Sequence, residues 1–159
     1  MTETDLPYFT SQALWLRIAA AVFCGSLIGI DRQLRGKPAG IRTSILITLG
    51  TCMFITMGTT FDPERSDQLR ILGQLITGIG FLGAGVIMSR EGLVTGVTSA
   101  SVIWVLATIG AAIGLGYYGM ALAVTFITLG VLIGVELLEK SFYKLRQGAH
   151  SITQKNRHK

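Results

Sequence analysis

The amino-acid sequence predicts an all-α fold, a polytopic transmembrane helical bundle with five membrane helices. Hydrophobic residues make up 50% of the 159-residue chain, charged residues only 14%, and the mean hydropathy is +0.55. A soluble domain carries about 25% charged residues, so this composition favours a membrane protein. The apolar residues also fall into five runs. Each run is close to the roughly 20 residues that a helix needs to cross a bilayer.

The five apolar runs are separated by short polar segments. In chain order they are residues 13–30, 43–61, 71–88, 99–115 and 119–138. Between the last two runs lie Gly116, Tyr117 and Tyr118, which are typical of a tight turn at the membrane interface, where tyrosine side chains anchor. The residues after the fifth run are few, polar and basic. We therefore predict a transmembrane domain over residues 1–140 and a short basic cytoplasmic tail over residues 141–159.

The charged residues between the runs predict the orientation of the helices. The segment between the first and second runs holds four basic residues and one acidic residue, whereas the next segment holds two basic and three acidic residues. The residues after the fifth run are again basic. Because loops rich in Lys and Arg stay in the cytoplasm, we predict an N-terminus outside and a C-terminus in the cytoplasm. Residues 1–12 contain no basic residue, so we expect no cleaved signal peptide.

The stretch GIGFLGAG, residues 78–85, contains Gly78, Gly80 and Gly83 at the spacing of a dinucleotide-binding loop. Such a loop follows a strand and opens a helix within a soluble βαβ unit. The preceding residues, ILGQLIT, belong instead to the third apolar run, so the required context is missing from the sequence. We therefore expect no cofactor and no nucleic-acid partner.

The small residues of the third run predict two helix-packing faces. The residues predicted to pack are Gly73, Thr77, Gly78, Gly80, Gly83, Ala84 and Gly85. At about 100° per residue most of them fall on two stripes, and small residues let membrane helices approach closely. Two stripes need two neighbours, so we predict that the third helix lies at the centre of the bundle. Gln74 should face a partner helix, because an unpaired amide in hydrocarbon is costly.

Glycines four residues apart recur on the other predicted helices. Their presence on nearly every helix predicts tight packing, or a homodimer through one of the outer helices. The pairs are Gly25 with Gly29, Gly110 with Gly114, and Gly130 with Gly134. Arg17 lies near the outer end of the first run, where its side chain can extend towards the outer interface.

The segment between the first and second runs carries the charges that suggest a site. They are Asp31, Arg32, Arg35, Lys37 and Arg42. Asp31 ends the first predicted helix, where the helix dipole disfavours an anion, so it should pair with Arg35 or Arg42. One interpretation is a topology anchor with local ion pairs. The other is a site at the cytoplasmic mouth, with Asp31 as the candidate metal contact and the basic residues facing acidic lipid or protein.

Three stretches together resemble the MgtC/SapB family of bacterial inner-membrane proteins. They are IGIDRQLRGKPAGIRT, QLITGIGFLGAGVI and GLVTGVTSASVIWVLATIGAAIGLGYY, and the resemblance covers about residues 13–139. It implies a polytopic helical domain in the bacterial inner membrane and a link to growth under magnesium limitation. In some pathogens it implies survival inside host cells, and in the family's namesake an inhibitory contact with ATP synthase. The namesake has a further soluble C-terminal domain that we expect this chain to lack, and Asp31 stands where the family usually has Glu.

Three functions are compatible with these observations. The first is a non-enzymatic accessory or regulatory membrane protein, acting through helix contacts with another membrane complex or with a second copy. The second is a small transporter or channel for magnesium or another ion, with Asp31 near its cytoplasmic mouth. The third is a membrane enzyme. The apolar runs hold no paired carboxylates and no His-rich cluster, so we expect no enzymatic activity.

Overall fold

The computed structural model describes residues 11–61, 65–90 and 93–141, which form five helices and one short hairpin. The elements are α1 (Gln12–Leu34), α2 (Ile41–Phe61), α3 (Arg65–Gly85), β1 (Met88–Arg90), β2 (Leu93–Thr95), α4 (Val97–Gly114) and α5 (Tyr118–Ser141). The two strands pair antiparallel, with Met88 opposite Thr95. The predicted all-α fold with five helices is confirmed, and the hairpin is an addition that the apolar runs did not indicate.

Four of the five helices are long and apolar enough to cross a membrane. Within the described residues these are α1, α2 over Ile41–Thr59, α4, and α5 over Tyr118–Leu138. The exception is α3, because its first six residues include charges at positions 65, 67 and 70 and because it ends at Gly85. The third apolar run predicts a helix that continues to Met88. The chain instead turns into β1 there, which shortens the apolar part of α3.

Two glycine pairs bring α1 and α4 against α2. A Cβ atom added at Gly29 of α1 would lie 2.6 Å from the Cα of Ile41, and one added at Gly114 of α4 would lie 2.7 Å from the carbonyl oxygen of Cys52. Such distances leave room only for hydrogen, so the helix backbones are in direct contact. The predicted close packing is therefore confirmed for both pairs. Gly25 of α1 and Gly110 of α4 approach the α2 helix equally closely.

The prediction that α3 lies at the centre of the bundle is wrong for the single chain. The described core centres on α2 and α4, and α4 buries large aliphatic side chains such as Leu106, Ile109 and Ile113. In contrast, Ile79 is the one large side chain of α3 that is buried among those described, and Phe81 is 81% exposed. Small residues permit a close approach but bring little apolar surface to bury. The central position therefore goes to the helix with the larger aliphatic face.

The turn between α4 and α5 lies where the sequence predicted it. Gly116 has φ +86°, and the N–H of Tyr117 donates to the carbonyl of Ala112 at 2.8 Å, which closes the end of α4. The positive φ is a conformation that glycine adopts at little cost.

The chain divides into two compact units, residues 1–125 and residues 126–159, with the boundary inside α5.

The described part of the second unit is the last two thirds of α5. Most of its large apolar side chains are exposed, which suits contact with lipid acyl chains. They are Phe126, Ile127, Val131, Ile133, Val135, Leu137 and Leu138. The predicted basic tail over residues 141–159 lies outside the described residues, apart from Ser141 in the helix.

Candidate functional site at the basic loop

A tight loop reverses the chain between α1 and α2. After Leu34 the chain leaves the helix at Gly36, which has φ +60°, and the N–H of Lys37 donates back to the carbonyl of Arg32 at 3.0 Å. Glycine is the favoured residue for this left-handed conformation at a helix end. The first turn of α2 is then capped from α1. The side-chain oxygen of Gln33 accepts from the N–H of Ile41 at 3.2 Å.

Arg32 lies inside the protein and joins three elements. Its side chain is 3% exposed, and Nη2 donates to the carbonyl oxygen of Pro38 at 3.1 Å and to the hydroxyl of Ser99 in the first turn of α4. The guanidinium therefore connects the end of α1, the loop and the start of α4. Its Nε–H is buried and has no hydrogen-bond partner among the described residues. A buried charged group that lacks a partner is costly, so the remaining contacts of Arg32 must offset that cost.

The inward position of Arg32 corrects the interpretation in which all the basic residues face lipid or another protein. Arg32 follows Gly25 and Ile28 on the face of α1 that is buried against α2 and α4. Because α1 continues to Leu34, this buried face extends to residue 32. Ser99, its partner on α4, was not identified from the sequence.

Asp31 pairs with Arg35, as the spacing of four residues allowed. Its Oδ1 accepts from Nε of Arg35 at 2.7 Å, with side chains 11% and 24% exposed respectively. The other oxygen, Oδ2, is buried and has no hydrogen-bond partner among the described residues. A carboxylate oxygen without a partner is able to accept a hydrogen bond from one more donor or to contact a cation. However, the described part of the chain contains no group of three or more His, Cys, Asp or Glu side chains that could hold a metal ion.

Lys37 and Arg42 form the outward part of the loop. Both side chains are exposed, and neither makes an ion pair or a hydrogen bond with a described residue. Arg42 stands in the first turn of α2, where the helix dipole disfavours a cation. An anion from outside the chain would relieve that unfavourable interaction.

The residues predicted to pack on α3 divide into two groups. Gly83 approaches α4, since an added Cβ would lie 3.8 Å from the Cβ of Ala100. At the other four glycines an added Cβ would meet no described atom within 4 Å. These are Gly73, Gly78, Gly80 and Gly85. Thr77 donates to the carbonyl of Gly73 in its own helix at 3.1 Å, and Ala84 is exposed. Most of the two predicted faces is therefore open in the single chain.

Buried hydroxyl groups line the inner face of α2. The hydroxyl of Thr48 lies 3.0 Å from the carbonyl oxygen of Ala21 on α1 and 3.0 Å from that of Ser44 in its own helix. At the far end of the interface, Nη1 of Arg17 donates to the hydroxyl of Thr56 at 3.2 Å. Arg17 was expected to extend outward, but it points between α1 and α2 because Thr56 supplies an acceptor there. The spacing of hydroxyl residues on α2 was the available signal for this polar interface.

Comparisons with known proteins place the chain in a family. Residues 18–141 match the model of the MgtC family. The chain is similar to Escherichia coli K12 "Putative magnesium transporter YhiD", at 40% identity over 77% of this chain and 60% of the relative. It is similar to Salmonella typhimurium LT2 protein MgtC, at 46% identity over 72% of this chain and 48% of the relative. It is also similar to Synechococcus elongatus protein SrpB, at 34% identity over 83% of this chain and 82% of the relative.

The matches to YhiD and MgtC span only about half to three fifths of those relatives. No solved structure matches the chain. The family match covers more than half of the sequence and includes most of α1 and all of α2 to α5, which agrees with the resemblance carried by the loop and the glycine stretch. The chain is a multi-pass helical membrane protein and belongs to the MgtC family.

Proposed function

We propose that this protein is a non-enzymatic accessory or regulatory protein of the bacterial inner membrane, linked to growth under magnesium limitation. It acts through helix contacts with another membrane complex or with a second copy. The observation that carries this proposal is the open face of α3, where Gly73, Gly80 and Gly85 meet no described atom. In membrane helices, glycines are typically found where another backbone approaches closely.

The orientation is part of the proposal. The basic loop between α1 and α2 lies on the cytoplasmic side, with the N-terminus outside, and α3 crosses as a fifth span, which places the C-terminus inside. The excess of Lys and Arg in that loop supports this orientation.

A small magnesium or other ion transporter or channel is the second candidate function. It is favoured by the unpartnered Oδ2 of Asp31 and by the name of YhiD. Two features of the described residues favour the accessory role instead. Glycine contacts bring the α1–α2 and α2–α4 backbones together, so these interfaces offer no open path. Arg17 and Arg32 place positive charge near both ends of the α1–α2 interface, which repels a cation.

Growth in limiting magnesium separates these two functions. A strain that lacks the protein is rescued with the wild type, Gly80→Leu, Asp31→Ala or Gly119→Leu. The last variant is the matched control, because an added Cβ at Gly119 on α5 also meets no described atom, and Gly119 belongs to no predicted packing pair. The accessory role predicts that Gly80→Leu fails to rescue while Asp31→Ala and Gly119→Leu succeed. Rescue by Gly80→Leu at normal protein levels would contradict it.

Ion flux provides the complementary measurement. Purified wild-type protein in liposomes should not increase magnesium passage over empty liposomes across a range of gradients and potentials. Magnesium passage that depends on Asp31 would instead support the transporter and refute the accessory role.

A further inference from the structure

A groove of about 620 Å³ runs between α2 and α3 on the outside of the bundle. The floor of the groove is buried and consists of Ile47, Thr51 and Ile79. The walls are mostly apolar and exposed, with Leu46 and Phe54 on α2 and with Leu82 on α3, and Gln74 of α3 is their polar member. Gly50 and Gly78 lack side chains and widen the groove from both sides. This volume lies within the roughly 300–1,000 Å³ that is usual for small-molecule sites.

The length of the groove matches one leaflet of a bilayer. Its lining on α2 extends from Thr43 to Phe54, a distance of about 16 Å at 1.5 Å per residue. Half of the hydrocarbon thickness of a bilayer is about 15 Å. One acyl chain of a phospholipid, which spans a single leaflet, therefore has the right length to lie along the groove.

Positive charge stands at one end of the groove. Thr43 lines that end, next to Arg42, and Lys37 precedes them in the loop. None of the three side chains has a hydrogen-bond or ion-pair partner among the described residues. Arg42 and Thr43 also lie in the first turn of α2, where free N–H groups and the helix dipole favour an anion.

We propose that the α2–α3 groove binds an anionic phospholipid, with an acyl chain between the two helices and the headgroup phosphate at Arg42 and Thr43. The phosphate neutralises the unpaired guanidinium, and the apolar walls bury the chain. A partner helix suits this groove less well, because an apolar helix surface supplies no anion for Arg42 or for the free N–H groups in the first turn of α2.

The glycines of the groove make its occupant testable. A Cβ atom added at Gly50 or at Gly78 would meet no described atom within 4 Å, so Gly50→Leu and Gly78→Leu fill the groove without a clash with the backbone. Gly80→Leu is the matched control, since Gly80 has the same open surroundings on α3 but does not line the groove. These variants separate lipid binding from the proposed function, because Gly80→Leu is expected to abolish rescue of growth and leave lipid binding intact.

The experiment uses the full-length protein in phosphatidylcholine vesicles that contain a minor fraction of phosphatidylglycerol with a photoreactive acyl chain. Mass spectrometry then locates the label. We expect labelling of groove residues in the wild type and in Gly80→Leu, and its loss in Gly50→Leu and Gly78→Leu. Arg42→Gln should lower the preference for phosphatidylglycerol over phosphatidylcholine by about fivefold. Thermal unfolding of each variant checks that it is folded.

Three results would overturn the proposal. The first is labelling of the groove that persists in both filled variants. The second is equal labelling by phosphatidylglycerol and by a phosphatidylcholine probe in the wild type. The third is a crosslink from groove residues to a second copy of the chain in place of lipid. Having two filled variants, one on each helix, keeps the test decisive when one of them fails to fold.

Discussion

Replacing Ser99 with alanine removes the hydroxyl that accepts from Nη2 of Arg32. Arg32 is only 3% exposed, so water cannot readily replace that acceptor. Nη2 keeps its bond to the carbonyl of Pro38 at 3.1 Å, whereas Nε already has no described partner. The loss is therefore one hydrogen bond to a charged, buried group. Such a bond contributes about 1.5–3 kcal/mol, and Ser99→Ala should lower the free energy of unfolding by that amount.

The protein in mild micelles is titrated with denaturing detergent while circular dichroism monitors its helix content. The unfolding curves of the wild type and of Ser99→Ala then give the difference in the free energy of unfolding. Ser101→Ala is the matched control, because Ser101 is exposed on the same helix and donates to the carbonyl of Val97 at 3.0 Å. Its effect should stay within about 0.5 kcal/mol. Ser99→Thr keeps the hydroxyl and should lose less than Ser99→Ala. Equal stability of Ser99→Ala and Ser101→Ala would refute the assignment of Ser99 as a structural partner of Arg32.

Two further substitutions test the packing and the ion pair. Gly110→Leu places a side chain against the α2 backbone at Thr48, so it should destabilise the protein by at least about 1–3 kcal/mol, whereas Gly130→Leu should be nearly neutral. Similar unfolding curves for these two variants would argue against the direct α2–α4 contact. Asp31→Asn removes the ion pair with Arg35, which is partly exposed, and should cost about 1 kcal/mol or less in the same assay. A much larger loss would show that Asp31 has a further partner.

Several features of the fold could be predicted because the signal lies within a short stretch of sequence. The helices follow from the length of the apolar runs, and the turn at Gly116 follows from a glycine between two such runs. The pairing of Asp31 with Arg35 follows from helical spacing. Each of these features depends on residues that are near neighbours in the chain.

Other features depend on contacts between distant segments, and the sequence did not reveal them. Arg32 and Ser99 are 67 residues apart, and nothing in the spacing indicates which residue of α4 meets the end of α1. The prediction that α3 lies at the centre of the bundle was wrong for a similar reason. Its small residues indicate where a backbone is able to approach, but the aliphatic face of α4 decides which helix the single chain buries. The groove beside α3 arises from that outer position.

In-cell photo-crosslinking at position 81 tests the proposed role of α3 most directly. Phe81 is 81% exposed and follows Gly80, so a photoreactive amino acid in its place samples the surroundings of the open face. The same replacement of Phe23 on α1, which is 53% exposed, is the control. We predict a protein adduct from position 81 that disappears when Gly80→Leu is added, and no such adduct from position 23. An adduct to lipid but not to protein at position 81, in cells that grow normally in limiting magnesium, would contradict a function through helix contacts.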